Sequence, residues 1–129
     1  MTTIIEGFVA GDDLDIERDV TDVDVSDPLI KAWLTIKTSR SVADGSASLQ
    51  KIITANAVQG TGQITEDGSE NQGNGTATVV FQLTASETAT LGYTVRYWYD
   101  IQVKTNSGKI YTTEIGRFQL TPGYTDATS

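Results

Sequence analysis

The stretch YWYDIQVKTNSGKIYT, residues 97–112, alternates apolar and polar side chains on both sides of Asn106-Ser107-Gly108. A period of two places successive side chains on opposite faces of a strand, and the turn residues between the runs close a β-hairpin. One face is then Tyr97, Tyr99, Ile101 and Val103, fit for a core. The other is Arg96, Trp98, Asp100, Gln102 and Lys104, fit for solvent or a partner.

The same period recurs along the chain, and long runs of period 3.6 do not occur. TTIIEGFV, residues 2–9, predicts a first strand. In 12–20, Leu14, Ile16 and Arg18 face one way and Asp13, Asp15, Glu17 and Asp19 the other. Asp27-Pro28 marks a turn. In 29–38, Ala32, Leu34 and Ile36 oppose Lys31, Trp33, Thr35 and Lys37. Shorter strands are expected at 47–54 and near 63–65. In 76–84, Ala77, Val79, Phe81 and Leu83 point inward. ASETATL, residues 85–91, predicts a short helix capped by Ser86, with Glu87 at its positive end. A last strand runs to Leu120, with Gly116 marking a bulge or a change of face. DGSENQGNG, residues 67–75, is too polar and glycine-rich to pack. Seven or so short strands punctuated by turns predict an all-β fold, an immunoglobulin-like two-sheet β-sandwich with one short helical turn. A closed barrel is the alternative. The expected organisation is a single domain over 1–120 and an extended tail over 121–129.

Composition narrows the chemistry. The 129 residues contain no Cys and no His, which excludes a disulfide framework, a thiolate nucleophile and a Ser-His-Asp triad. The formal charge is −8. Nine acidic residues lie between Glu6 and Asp27, with Arg18 as the one cation among them. Such a chain repels phosphate backbones and anionic bilayers, so neither nucleic acid nor membrane is an expected partner. The N-terminus lacks the basic and apolar regions of a signal peptide, so synthesis in the cytoplasm is expected.

Candidate sites are few. The acidic run would suit only an oxygen-seeking cation, and Asp22, Asp24, Ser26 and Asp27 lack the glycine and the closing glutamate of a calcium loop. A solvated face is the better reading, so no metal is expected. The glycines at 60–62 and 68–75 fit no phosphate-binding pattern, and no cofactor is expected. Asn74-Gly75-Thr76 matches the glycosylation acceptor by chance. Asp100 shares a face with Arg96, Gln102 and Lys104, where pairing or solvation is the ordinary result. Among the aromatics, Tyr97 and Tyr99 alternate with core residues, whereas Trp33 and Trp98 face the other way and suit a contact surface. Ile4, Ile5 and Phe8 are apolar enough to add a strand to a neighbour's sheet edge. Tyr124 gives the tail one amphipathic anchor.

The order of features, GDDLDIERDVTDVDV, KAWLTIK, ATVVFQLTASETATL, YWYDIQVKTNSGKIYT and GRFQLTPGYT, resembles a family of small tailed-phage structural domains. They are similar to the N-terminal domain of the phage baseplate upper protein (BppU-type). The resemblance spans about Gly11 to Thr125 and lies in the order of the segments. It implies an immunoglobulin-like sandwich without catalytic residues that docks on other virion proteins in multiple copies, with a homo-oligomer in the assembly left open. The chain departs from that pattern in a longer 66–75 loop and in lacking a following fibre or receptor-binding domain. The expected role is an adaptor in the tail, baseplate or neck, localised to the virion. Capsid decoration is the near alternative, and a carbohydrate-binding module with Trp33 or Trp98 as platform is the alternative of another class.

Overall fold

In the computed structural model, residues 3–41, 46–54, 62–66 and 75–123 are described. The expected loop over 67–75, apart from Gly75, and the expected anchor Tyr124 lie outside the described residues. Eight strands and one helix follow in order: β1 (Thr3–Ile5), β2 (Leu14–Val20), β3 (Leu29–Lys37), β4 (Leu49–Thr54), β5 (Gly62–Glu66), β6 (Ala77–Leu83), α1 (Ala85–Leu91), β7 (Tyr97–Thr105) and β8 (Ile110–Phe118). They form a five-stranded sheet, ordered β1-β8-β7-β3-β4, and a three-stranded sheet, ordered β2-β6-β5. The architecture is an immunoglobulin-like two-sheet β-sandwich with one short helix.

The alternation read from the sequence sets which residues meet between the sheets. Ala32, Leu34 and Ile36 from β3, Ile53 from β4, Val79, Phe81 and Leu83 from β6, Tyr99, Ile101 and Val103 from β7, and Phe118 from β8 are all buried in one core. Burial of this apolar surface drives the two sheets together.

Register explains two departures from expectation. β1 pairs in parallel with β8, Ile4 opposite Arg117 and Ile5 opposite Phe118. Phe118 points inward, so Ile5 does too; it is 4% exposed and belongs to the core. The N-terminal segment therefore extends the molecule's own sheet, and Ile5 is not a free contact residue. The irregularity of β8 falls at Thr113, skipped between the pairs Ile101–Glu114 and Gln102–Thr112. Gly116 keeps the regular register, buried opposite Tyr99. Chain contacts also continue past Leu120, for Thr121 bridges to Val9 and its N–H donates to the Phe8 carbonyl at 2.8 Å.

The helix has the expected bounds and a different cap. Thr84, in an extended conformation, accepts from the Glu87 N–H, and the Glu87 carboxylate accepts from the Thr84 N–H at 2.9 Å. This reciprocal pair is a capping box, which satisfies two otherwise orphaned donors. Ser86 is the second residue of the helix, inside its first turn, where its carbonyl accepts from the Thr90 hydroxyl. The helix is seated by Thr88, fully buried, whose hydroxyl donates to the Asp12 carbonyl at 2.7 Å and accepts from the Gly11 N–H at 3.0 Å.

Candidate interaction surface

The outward positions of the five-stranded sheet form a continuous face. Register places Lys31, Trp33, Thr35 and Lys37 of β3 beside Lys104, Gln102, Asp100 and Trp98 of β7. β8 adds Ile110, Thr112, Ile115 and Arg117, and β1 adds Ile4. On the far side, β4 adds Gln50, Ile52 and Thr54. Four isoleucines on this face are well exposed: Ile4 at 47%, Ile52 at 44%, Ile110 at 56% and Ile115 at 48%. Apolar side chains scattered singly over a surface are ordinary; a face that combines them with two tryptophans and cations is not.

The tryptophans are held by cations. The Arg40 and Arg117 guanidinium groups each stand 4.1 Å from the Trp98 ring centroid, and the Lys31 ammonium stands 5.1 Å from that of Trp33. Each such contact contributes about 0.5–1 kcal/mol at an exposed site. Arg117 also donates to the Arg96 carbonyl at 3.2 Å. Lys31, Lys37, Arg40, Lys104 and Arg117 thus gather five of the chain's nine cationic side chains about one face of a protein with net charge −8.

The outer face of the three-stranded sheet is the reverse. Asp15, Glu17 and Asp19 of β2 face outward beside Gln82, Val80 and Thr78 of β6, and Gln63 follows on β5. Among the described residues of this face there is no cation. Arg18, the cation in this strand, turns to the β8 side, where its Nε donates to Glu114 at 2.9 Å. The acidic row read from the sequence is therefore a surface, and part of it also supports the fold. Asp13 accepts from the Ala85 N–H at 2.7 Å and Asp19 from the Thr78 hydroxyl at 3.0 Å.

Two charged clusters bind one sheet or element to another. Arg18 of β2, Glu114 of β8 and Tyr99 of β7 form a chain in which the Tyr99 hydroxyl donates to Glu114. Burial raises the Tyr99 pKa, and the hydrogen bond to Glu114 raises it further. Tyr99 therefore stays a neutral donor at physiological pH. At the other margin, the inward Lys51 donates to Glu87 at 2.8 and 3.0 Å. Burial pushes the Glu87 pKa up, but the Lys51 and Thr84 donors outweigh it and hold the carboxyl below its ordinary value. Both clusters are satisfied inter-element clamps.

A cleft of about 320 Å³ opens at one end of the sandwich, floored by Val20, Leu29 and Val103 and rimmed by Asp22, Asp24, Asp27, Lys109 and Tyr111. Asp24 accepts from the Ser26 N–H and hydroxyl, and Asp27 from the Ser107 N–H and hydroxyl at 2.7 Å. These bonds dock the 106–108 turn on the Asp27-Pro28 turn and hold both carboxyls below their ordinary pKa. The carboxylates there are engaged by the loops that carry them. Among the described residues no group of three or more side chains is placed to hold a metal ion.

Of the contact residues expected from sequence, Ile4, Trp33 and Trp98 come together on the five-stranded face. Phe8 is exposed beyond β1, and Ile5 is in the core. Sequence reasoning missed Arg40, which follows β3 in a turn where no period marks it, and Ile52, whose place depends on its pairing with Trp33.

No family model matches the chain, and no curated protein matches it. Among solved structures it is similar to AggA, the major subunit of aggregative adherence fimbriae type I from Escherichia coli. The two are 16% identical over 93% of this chain and 91% of that one, with a TM-score of 0.42.

Proposed function

We propose that the protein is a non-enzymatic structural module of a tailed-phage virion, docking on other virion proteins in many copies at the tail, baseplate or neck. The resemblance in segment order motivates the phage assignment. The observation that carries the docking role is the outer face of the five-stranded sheet, where Ile4, Ile52 and Ile115 stand exposed around Trp33 and Trp98 and their cations. Aromatic residues and arginine are enriched at protein interfaces, and a standard interface takes roughly 800 Å² from each partner. Three nine-residue strands about 30 Å long, flanked by the six residues of β4 and the three of β1 and spaced about 4.8 Å apart, offer roughly 570 Å² before the turns at their ends are added. Capsid decoration would use the same face in the same way.

A carbohydrate-binding role rests on the two tryptophans as stacking platforms. The guanidinium groups at Trp98 already compete for that ring, which favours the protein-docking reading.

Mass spectrometry of density-purified phage particles, with cryo-electron microscopy to place the subunit, tests the proposal. The expected result is a multi-copy component with the five-stranded face against a neighbour. Absence from the particles overturns the virion role. A particle-bound subunit with that face open to solvent overturns the docking assignment.

A further inference from the structure

We infer that the chain associates with itself head to tail, the five-stranded face of one copy seating on the three-stranded face of the next. This rests on the docking reading of the first face and names its occupant. The complement lies on the same molecule. One outer face gathers Lys31, Lys37, Lys104 and Arg117 with Arg40 at Trp98, against the single carboxylate Asp100 among its described residues. The opposite outer face presents Asp15, Glu17 and Asp19 with no cation among its described residues. Charges of opposite sign on opposed surfaces steer association and fix its register. Like faces of two copies would instead oppose cation to cation or carboxylate to carboxylate, which disfavours a two-fold dimer through either face.

The geometry sets the form of the assembly. A contact between different patches is heterologous, so it propagates rather than closing at two. The patches lie on opposite sides of a sandwich, so successive copies stack face on face. Sheets pack about 10 Å apart, which gives a repeat of roughly 20 Å along the stack. The three-stranded face is the smaller, about 14 Å by 23 Å, and it limits each junction to roughly 300 Å² per partner before the flanking loops add to it. Each junction is therefore weak and salt-sensitive.

Sedimentation velocity of the wild-type chain over a concentration series up to about 1 mM, in about 20 mM and about 500 mM salt, reads the association directly. The expected result is a mass that rises with concentration at low salt, and an association constant about tenfold or more lower at high salt. Two double variants then test the pairing: Asp15→Asn with Glu17→Gln, and Lys31→Gln with Lys104→Gln. Each alone should stay monomeric. Their equimolar mixture should form a dimer that grows no further, because each supplies the face the other lacks.

Zero-length carbodiimide cross-linking of mixed light- and heavy-isotope wild type covers the case of a variant that fails to fold. Intermolecular links joining Lys31 or Lys104 to Asp15 or Glu17 are expected. A wild type monomeric at low salt overturns the inference, as does a mixture that does not complement or cross-links that avoid these residues. A monomeric chain that is nonetheless found on particles through its five-stranded face keeps the docking reading and assigns the face to a different virion protein. A stacking chain absent from particles does the opposite.

Discussion

On the three-stranded sheet, the outward positions of β2 are Asp15, Glu17 and Asp19; on the five-stranded sheet, the outward positions of β3 are Lys31, Trp33, Thr35 and Lys37. Both rows come from the same period of two, and their inward partners fill the same core. Packing constrains one position in two and leaves the other free. In this chain the free positions are sorted by charge, with carboxylates on one layer and, Asp100 apart, cations with aromatics on the other. A random scatter of the same residues would give the same fold and the same net charge, but no complementary pair of faces.

If that sorting is decoration on one shared core, damage to the core should fail both faces together. Phe81 sits on β6 of the acidic layer and is fully buried among residues of both sheets. Phe81→Ala should cost about 3–5 kcal/mol in chemical denaturation. A loss below about 1 kcal/mol would mean that the layers do not share this residue as a packed centre.

A smaller effect should fall on the acidic layer. Gly62 pairs with Phe81 at a φ of +136°, and a Cβ there would stand 2.1 Å from the Val80 carbonyl oxygen. Any side chain must push β5 away from β6. Gly62→Ala should cost about 1–3 kcal/mol, combining backbone strain with the close approach. A neutral result would show that β5 is loosely held and contributes little to that face.

The two layers were unequally legible in the sequence. Strands of seven or more residues show their period where no bulge breaks it, so β2, β3, β6 and β7 and their inward rows can be read directly, whereas the bulge in β8 interrupts its row. β1 has three residues and no readable period, and Ile4 and Ile5 are equally apolar; the pairing with β8 alone turns Ile5 inward. The helix cap was misplaced by two residues, although the Thr84–Glu87 spacing of a capping box was present. A glycine drew the expected bulge to Gly116, whereas it falls at Thr113. The composition of each face could be read, but their placement on opposite layers could not, since it follows from which strands share a sheet. The Arg18–Glu114 clamp joins positions 96 apart, and no local pattern announces it.

That clamp joins the layers at the β2–β8 margin, and its removal sharpens the comparison without touching either outer row. Arg18→Ala leaves Glu114 with Tyr99 as its remaining partner. The Arg18 side chain is 34% exposed, so solvent screens the pair and the expected loss is about 1 kcal/mol. Tyr99→Phe should add little to it, because the two residues lean on the same carboxylate and their losses do not sum. Full additivity in a double-mutant cycle would show that the clamp is not a unit.

The smallest expected effect lies at the opposite margin and depends on pH. Burial alone would raise the Glu87 pKa, but the hydrogen bond from Lys51, then that from the Thr84 N–H and the Lys51 charge, bring it below its ordinary value of 4.5. A folded-state pKa below the unfolded value means that folding favours the carboxylate. The stabilisation is therefore complete above pH 4.5 and is lost as pH falls through the lowered folded value. Protonation would also leave the inward Lys51 ammonium, 8% exposed, without its counter-charge. Asp24 and Asp27, likewise lowered by hydrogen bonds from Ser26 and Ser107, lose stabilisation in the same acid range. Glu87→Gln isolates one contribution: it should melt below wild type at neutral pH, and the gap should narrow steadily below pH 4.5 as wild type loses the same charge. A melting-temperature gap constant from neutral to strongly acid pH would show that Glu87 is not a stabilised carboxylate, and that this margin is held by the capping box and apolar packing alone.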